Sequence, residues 1–408
     1  MKSLISIIFL FSVSKLMSQS WQVYTSVSAN QPTALYNILS MDTEGSKKWF
    51  GVPGFGLVKY DANSWYLYNS TNSLLTNDTI LSVVIDNLGN KWIGTQGNGL
   101  VKLDNNGLWT TFNTSNSNIP HNTVSSISID SSGQIWIGTM NGLAKFNGIN
   151  WTVYTTTNSG LTNDYIRSTA IDNNGNIWII TINGISKFNG TNWATYNSSN
   201  SGILNDYIYE IEVHNNDVWF GTQIGLTKYD GADWVNHYQT VNSSIPLGNI
   251  YAIEFDNDNI MWVGGGSGGF SKFDGNVWTN FNYSNSALPS DNVRSIMIDS
   301  NNTKWIGTFW GLVAYNENQL STTENVEIET KESIIVYPNP SGDYIFLKIP
   351  SNIDIKSVEI FDSSSNKINS PLIKEKSNKV DVTHLPTGIY ILKININGKY
   401  LTKKFVKK

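Results

Sequence analysis

One tryptophan recurs through the first three quarters of the chain, each time inside the same short motif. Two examples of this motif are Lys91-Trp92-Ile93-Gly94-Thr95 and Ile135-Trp136-Ile137-Gly138-Thr139. The repeated tryptophans are Trp49, Trp92, Trp136, Trp178, Trp219, Trp262 and Trp305, at intervals of 43, 44, 42, 41, 43 and 43 residues. A period of this length indicates supersecondary units that bury their cores by stacking on one another. The chain therefore contains seven copies of one unit.

Each unit holds four short strand-like segments. In the third unit they are Val124–Asp130, Ile135–Thr139, Gly142–Asn147 and Trp151–Tyr154. The Asn, Asp and Gly residues between them are typical of hairpin turns. Four short strands in a unit of about 40 to 45 residues are typical of a β-propeller blade, whereas a β-solenoid has shorter rungs and a helical repeat has another periodicity. The repeat predicts an all-β, seven-bladed propeller.

A second tryptophan predicts how the ring closes. It begins the fourth strand of six units, at Trp65, Trp109, Trp151, Trp193, Trp234 and Trp278. The seventh unit ends near Asn316 without such a residue, but Trp21-Gln22-Val23-Tyr24 near the N-terminus matches Trp151–Tyr154. We therefore expect the N-terminal strand to complete the seventh blade and remove an exposed sheet edge. Fourteen of the 15 tryptophans are then structural, and Trp310 belongs to neither set.

The repeat resembles the two-component-regulator propeller repeat over about residues 20–318. The matching pattern is Ile129-Asp130-x-x-Gly133-x-Ile135-Trp136-Ile137-Gly138-Thr139-x-x-Gly142-Leu143-x-Lys145-Phe146. His214 replaces the turn Asp in the fifth copy, and Gly264-Gly265 replaces Gly-Thr in the sixth. In that family such repeats form periplasmic sensors that continue into a membrane helix and a kinase. Neither is seen in this sequence, so the resemblance does not imply phosphotransfer signalling.

Residues 1–18 have the pattern of a secretory signal peptide. Lys2 supplies the positive start, Leu4 to Val13 form the apolar run, and small residues surround a cut after Ser18. The alternative is a membrane anchor, but the run is about half of the roughly 20 apolar residues that span a bilayer. We expect an exported chain whose propeller covers residues 19–318. The absence of Cys excludes disulfides, thiolate metal sites and cysteine nucleophiles.

The C-terminal part differs in composition and charge. Residues 319–333 are polar and acidic and are expected to be a linker. From Lys331 onward there are 13 Lys and 7 acidic residues, a net charge of +6, so the net charge of -5 leaves -11 for the rest of the chain. The strand-like segments of residues 334–408 predict a small immunoglobulin-like β-sandwich. A solvated surface alone would also explain the Lys excess.

Three motifs in this part resemble the type A sorting domain of the type IX secretion system. They are Tyr337-Pro338-Asn339-Pro340, Leu385-Pro386-Thr387-Gly388-Ile389-Tyr390 and Lys403-Lys404-Phe405-Val406-Lys407. The resemblance implies that Tyr337, Pro338, Asn339, Pro340, Gly388 and Tyr390 belong to a sorting signal. It also implies that the secretion machinery is a partner and that the protein is secreted, either extracellular or attached to the outer cell surface.

The repeats align one residue of each inner strand. Counting back five positions from the turn Asp or its counterpart gives Asn37, Leu81, Ser125, Arg167, Tyr209, Tyr251 and Arg294. Both arginines of the chain fall in this column, and two tyrosines lie between them. The planar fork of Arg and the flat ring of Tyr suit carboxylates or sugar rings. We expect Arg167, Tyr209, Tyr251, Arg294 and Asn37 to bind a ligand.

The loops between the second and third strands of a blade should lie on the same face as this column. They carry Phe55 in the first blade and Phe309 and Trp310 in the seventh, and closure makes these two blades neighbours. We add Phe55 and Trp310 to the predicted ligand-binding residues. The alternative is that these aromatics cap the core and that the arginines pair with nearby acids.

Three functions remain open. The first is an exported binding module for a glycan, a peptide or a surface protein. The second is a polysaccharide lyase or hydrolase that uses Glu210, Glu212 and Glu254 of adjacent inner strands, although these residues could instead line a watery channel. The third is a structural or adhesion protein. The four scattered His residues do not indicate a metal site, no cofactor or nucleic acid is expected, and a monomer is expected.

Overall fold

The computed structural model describes residues 21–24, 35–61, 64–239, 245, 248–317, 335–337, 339–348, 355–362, 367–368, 379–396 and 399–408. The predicted signal peptide and the whole of the predicted linker lie outside these residues. The chain divides into two compact units, Met1–Leu320 and Ser321–Lys408. Within the described ranges, no helix is long and apolar enough to cross a membrane.

The described residues of the first unit form 28 strands. They are β1 (Trp21–Tyr24), β2 (Ser40–Glu44), β3 (Lys47–Val52), β4 (Gly56–Asp61), β5 (Ser64–Tyr68), β6 (Ile80–Ile85), β7 (Lys91–Thr95), β8 (Leu100–Leu103), β9 (Trp109–Phe112), β10 (Val124–Ile129), β11 (Ile135–Thr139), β12 (Gly142–Phe146), β13 (Trp151–Tyr154), β14 (Ile166–Ile171), β15 (Ile177–Thr181), β16 (Gly184–Phe188), β17 (Trp193–Tyr196), β18 (Ile208–His214), β19 (Asp217–Thr222), β20 (Gly225–Tyr229), β21 (Trp234–Gln239), β22 (Ile250–Phe255), β23 (Met261–Gly265), β24 (Phe270–Phe273), β25 (Trp278–Phe281), β26 (Val293–Ile298), β27 (Lys304–Thr308) and β28 (Gly311–Tyr315). They form seven four-stranded antiparallel sheets, which confirms the seven-bladed propeller.

The N-terminal strand closes the ring as predicted. β1 pairs antiparallel with β28, so that Trp21 lies opposite Tyr315 and Tyr24 lies opposite Leu312. The seventh blade therefore has the order β1-β28-β27-β26 and joins the first strand of the propeller to its last three strands. Tyr24 is buried and stacks on Trp305, with ring centroids 5.6 Å apart.

The repeated Trp is tied to the preceding turn by its indole N–H. In the second blade Trp92 Nε1 donates to Asp86 Oδ2 at 2.9 Å. The other oxygen of Asp86 accepts the backbone N–H groups of Leu88 and Asn90, as an Asx turn requires. One carboxylate thus shapes the hairpin and satisfies a buried donor, which explains the six-residue spacing of Asp and Trp.

The Gly that follows this Trp lets neighbouring blades approach closely. A Cβ atom on Gly94 would lie 2.8 Å from Val124 of the next blade, and a Cβ atom on Gly138 would lie 2.7 Å from Ile166. Real side chains do not pack at such distances. The motif therefore encodes the contact between blades as well as the strand itself.

Three adjacent seams between blades contain buried ion pairs. Each pair joins the Lys that precedes a repeated Trp to the turn carboxylate of the previous blade. The Nζ–O distances are 2.9 Å for Lys304–Asp256, 3.2 Å for Lys48–Asp299 and 2.8 Å for Lys91–Glu44. They lie at the seams on both sides of the closing blade and at the next seam. In the third to sixth blades an apolar residue, such as Ile135, stands at the Lys position.

The second unit is a small antiparallel sandwich. Its strands are β29 (Ile335–Tyr337), β30 (Tyr344–Lys348), β31 (Ile355–Asp362), β32 (Lys367–Ile368), β33 (Lys379–Asp381), β34 (Gly388–Ile396) and β35 (Lys399–Lys407). They form one sheet of order β29-β30-β33 and another of order β32-β31-β34-β35. Ile345 and Val380 of the first sheet share a buried core with Ile360, Leu392 and Phe405 of the second. The predicted two-sheet domain is thereby confirmed.

Candidate functional site

A cavity of about 440 Å³ lies among the inner strands of the propeller. Residues from the first strand of every blade line it, and they include six of the seven residues of the aligned column. These six are Leu81, Ser125, Arg167, Tyr209, Tyr251 and Arg294. The sequence alignment of the repeats therefore identified the lining of this channel in blades two to seven.

A β-bulge explains why these six residues share one position. In the third blade Val124 lies opposite Thr139, but Ser126 lies opposite Gly138, so Ser125 is the extra residue of the inner strand. The same shift occurs at Leu81, Arg167, Tyr209, Tyr251 and Arg294. A bulge bends the strand and redirects a side chain. Six successive bulges thus form one ring of channel-lining side chains.

The position of Asn37 in the column was wrong. Ser40 lies opposite Gly51, as Ser82 lies opposite Gly94 in the second blade, so Leu39 is the equivalent of Leu81. The register was misplaced because the turn carboxylate of the first blade is Glu44, which accepts from Trp49 Nε1 at 3.2 Å. Counting five residues back from Asp42, instead of from Glu44, placed the column two residues too close to the N-terminus, at Asn37 instead of Leu39. Asn37 precedes the strand, has a φ of 54°, and donates its backbone N–H to Thr308 O.

Arg167, Tyr209, Tyr251 and Arg294 form one continuous arc across four successive blades. The Arg167 guanidinium carbon lies 5.2 Å from the Tyr209 ring centroid, and that of Arg294 lies 4.5 Å from the Tyr251 centroid. The two tyrosine rings meet edge to face with centroids 5.2 Å apart. Cations over aromatic faces are held by the ring quadrupole. The arc therefore presents two guanidinium groups joined by an aromatic surface.

The two arginines have few hydrogen-bond partners among the residues that the structure describes. Arg167 Nη1 donates to the backbone oxygen of Ile208 at 3.4 Å. Among the described residues no carboxylate lies within ion-pair distance of either guanidinium, and Arg294 Nε is buried without an acceptor. The alternative in which the arginines pair with nearby acids is not observed in the described part of the chain. Their forks remain available to an anionic group.

Two neighbouring residues, Asn249 and Gly266, determine the position of the Tyr251 side chain. Asn249 Nδ2 donates to the Tyr251 hydroxyl at 2.8 Å. A Cβ atom on Gly266 would lie 3.0 Å from the Tyr251 ring, so glycine at this position leaves space for the ring. The glycine-rich run after Trp262 thus accommodates a channel side chain. Asn249 could not be predicted from the sequence, since no repeat position marks it.

The loops between the second and third strands surround the same end of the channel. In the second blade Gln96 N donates to Thr79 O, and in the seventh Phe309 N donates to Asn292 O, which joins these loops to the residues just before the inner strands. We call this end of the propeller the entry face. Phe55, Phe309 and Trp310 are exposed on it, and the Trp310 ring packs edge-on against Tyr36.

Carboxyl groups occupy the inner strands beside the arc. Burial raises the pKa of Asp42 to about 6, and burial together with the charge of Asp42 raises the pKa of Glu254 to about 8. Burial, and then the charge of Glu254, holds the pKa values of Glu210 and Glu212 well above their usual range. Asp42, Glu210 and Glu254 line the cavity, and Asp42 was missed because it was taken for a turn residue. No cluster of three metal-ligating side chains is found among the described residues.

The predicted sorting motif residues hold the second unit together. Asn339 Oδ1 accepts from Val406 N at 2.9 Å, while Asn339 Nδ2 donates to Lys404 O at 3.4 Å, so one side chain covers the edge of β35. Tyr390 donates its hydroxyl to Pro386 O at 2.8 Å. Gly388 begins β34, Tyr337 ends β29, and Pro340 follows Asn339 in the loop; Pro338 lies outside the described residues.

Family comparisons agree with both resemblances. Residues 118–141 and 160–183 match the two component regulator propeller, and residues 335–408 match the secretion system C-terminal sorting domain. No curated protein matches the chain. The sorting domain indicates export through the type IX secretion system to the cell surface or the extracellular space.

Solved structures with the same fold come from proteins of several functions. The extracellular domain of a putative hybrid two component system from B. thetaiotaomicron is 19% identical, with a TM-score of 0.64 over 95% of this chain and 57% of that one. PorZ, a surface component of the type IX secretion system of Porphyromonas gingivalis, is 19% identical, with a TM-score of 0.56 over 90% and 59%. Virginiamycin B lyase from Staphylococcus aureus, solved with quinupristin, is 12% identical, with a TM-score of 0.57 over 72% and 97%. The chain spans less than 60% of the length of the first two, and at these identities the likeness concerns the fold alone.

Proposed function

Because the chain carries two-component-regulator propeller repeats ahead of a type IX sorting domain, we propose that it is an exported binding module. The entry face of its propeller binds a ligand at the cell surface, and this ligand is a glycan, a peptide or another protein. The observation that carries this proposal is the arc of Arg167, Tyr209, Tyr251 and Arg294 at the channel. The sorting domain supplies delivery through the secretion machinery.

The chemistry of the arc favours a ligand with a carboxylate or a sugar ring. Each guanidinium offers parallel N–H donors that match the two oxygens of a carboxylate. The tyrosine rings between the arginines offer flat apolar faces with a hydroxyl at one edge. The arginines and the tyrosines lie on the wall of the channel. A ligand that reaches the arc is therefore shielded from water on several sides. Charge-assisted hydrogen bonds are stronger there than on an open surface.

Array binding by the full chain tests this function. The purified protein is applied to glycan and peptide arrays, and the bound probes are then measured again with the R167A/R294A double variant. We expect the affinity for those probes to fall at least about tenfold, since a charge-assisted hydrogen bond contributes about 1.5–3 kcal/mol. Lys367→Ala with Lys408→Ala is the matched control, because it removes two exposed positive charges from the second unit. Binding that the double variant retains in full contradicts the proposal.

A polysaccharide-cleaving enzyme is the second candidate, supported by the carboxyl groups of Glu210 and Glu254 that line the channel on adjacent inner strands. Burial keeps Glu210, Glu212 and Glu254 protonated to a higher pH than free carboxyl groups, as a general acid requires. Two neighbouring carboxyl groups with different pKa values can act as the acid and the base of glycoside hydrolysis. Glu210→Gln should then abolish cleavage of an otherwise good polysaccharide substrate while leaving its binding unchanged, because Glu210 lines the channel. A wild-type protein that cleaves nothing across a substrate panel contradicts this candidate.

A further inference from the structure

The entry face carries a set of large apolar side chains that the sequence analysis recognised only in part. Each lies in a loop between the second and third strands of its blade and is exposed to solvent. The set is Phe55, Met140, Ile182, Ile224, Phe309 and Trp310. Five of the seven blades contribute, and Trp310 is the most exposed, at 56%. Because all of these loops meet at one end of the propeller, the apolar residues surround the mouth that leads to the arc.

The composition of this surface favours a protein rather than a glycan. Sugar rings stack on aromatic faces, but Met140, Ile182 and Ile224 are not aromatic and offer nothing to sugar hydroxyls. Protein interfaces are enriched in Tyr, Trp, Phe, Met and Arg. Their energetic centres are mostly Trp, Tyr and Arg in positions shielded from water. The entry face has this composition, with two Arg and two Tyr inside a ring of Phe, Met, Ile and Trp.

The charge of the surface indicates what the partner brings. Arg167 and Arg294 face the channel without a carboxylate partner among the described residues, although the chain outside the C-terminal part carries a net charge of -11. A partner that inserts an acidic group would satisfy both guanidinium groups. Apolar side chains beside that acidic group would cover the exposed apolar residues around the mouth. Single exposed apolar residues are common on protein surfaces, whereas a group of them at one place indicates an interaction site.

We propose that the entry face is a docking surface for a protein partner, which inserts an acidic segment flanked by large apolar side chains. This inference rests on the proposed binding function and narrows its ligand to a polypeptide. The acidic group contacts Arg167 and Arg294, and the flanking side chains pack on Trp310, Phe309 and Phe55 on one side and on Ile182 and Ile224 on the other.

Affinity selection from a displayed library of random 12-residue peptides tests the docking surface. The purified full chain is the bait, and the affinities of the selected peptides are then measured by fluorescence anisotropy. We expect enrichment of Asp or Glu beside Phe, Trp, Leu or Ile. Arg294→Lys should weaken binding several-fold, because it keeps the charge but loses the fork, and R167A/R294A should weaken it at least tenfold. Trp310→Ser with Phe309→Ser should also weaken it at least tenfold.

The matched control removes apolar residues from the other end of the propeller. Ile149 and Val277 are 84% and 60% exposed in turns between third and fourth strands, so Ile149→Ser with Val277→Ser removes similar surface without touching the entry face. Unchanged binding by this control and unchanged melting temperatures for all variants are expected. A selection without an acidic and apolar consensus, or with peptides that ignore the Trp310 change, overturns the inference.

Oligogalacturonate, an acidic glycan, is measured in parallel as a second probe. If it binds through Arg167 and Arg294 while no peptide does, the docking surface is wrong but the binding module stands. If neither probe depends on these arginines, both proposals are wrong. Peptide binding that requires the arginines and Trp310 supports both.

Discussion

At the scale of single residues, the inner strands combine groups of opposite character. The arginines of the arc remain charged at any physiological pH. The carboxyl groups beside them lose their charge more readily, because the channel withdraws them from water and places them near one another. The channel therefore becomes more negative as pH rises, and ionisation of its acids costs folding free energy.

Replacement of Glu254 by Gln should reveal this cost. A raised folded-state pKa gives stability that is present below the usual Glu pKa of 4.5 and is lost as pH rises towards about 8. We expect E254Q to have little effect near pH 4 and to stabilise the propeller above pH 8. The gain should be about 1–2 kcal/mol, since channel water screens part of the interaction. Thermal melts from pH 4 to 9 measure it, and a gain that does not grow with pH contradicts the assignment.

At the scale of elements, the sequence predicted the blades well and their inner strands less completely. The Trp and turn Asp positions are set by contacts within one hairpin, such as Trp136 Nε1 to Asp130 at 3.2 Å, so the local sequence records them. The ring of channel residues could be found in six blades because the bulge keeps a constant distance from that turn. In the first blade the turn carboxylate is Glu44, and the constant distance led to Asn37 instead of Leu39. The exposed apolar residues of the entry face have no fixed side-chain type, and only Phe55, Phe309 and Trp310 were identified.

A turn carboxylate that also accepts the indole N–H should contribute more to the free energy of unfolding than a turn carboxylate that does not. Asp130→Ala removes the acceptor of Trp136 Nε1 and of the backbone N–H groups of Ser132 and Gln134. The expected loss is about 1–3 kcal/mol, because a buried donor is left without an acceptor. Asp104→Ala is the control, since the Asp104 carboxylate accepts the exposed backbone N–H groups of Asn106 and Leu108. Urea unfolding of both variants measures the difference, and equal losses contradict the role of the indole bond.

At the scale of the whole molecule, the ring is closed by one short strand and reinforced at neighbouring seams. β1, the first strand of the chain, completes a blade whose other three strands are the last three strands of the propeller. The buried pair Lys48–Asp299 spans the seam between the last and first blades, and Lys304–Asp256 and Lys91–Glu44 lie at the adjoining seams. Only the Lys48–Asp299 seam joins blades that do not follow one another in the chain, and the other two ion pairs reinforce the seams on either side of it.

Lys48→Met should show what the closing pair contributes. Asp299 would remain buried without its cation, and such a loss costs about 3–5 kcal/mol. Lys48→Met combined with Asp299→Asn should recover part of that loss, because no uncompensated charge remains and Asn can still accept from Trp305. Urea unfolding at pH 7 measures both variants. A double variant no more stable than Lys48→Met contradicts the explanation by an unpaired charge.

Removal of the closing strand tests the ring itself. A mature chain that lacks residues 19–24 leaves the backbone of β28 without its β1 partner and uncovers Tyr315, which now packs on Trp21 with ring centroids 4.2 Å apart. An unpaired apolar edge recruits strands from other molecules. We therefore expect a lower melting temperature and self-association in light scattering after size-exclusion chromatography. A chain that lacks only residues 19–20 is the control and should behave as the parent does. If the shorter chain elutes as a monomer with an unchanged melting temperature, closure by β1 is not what holds the propeller together.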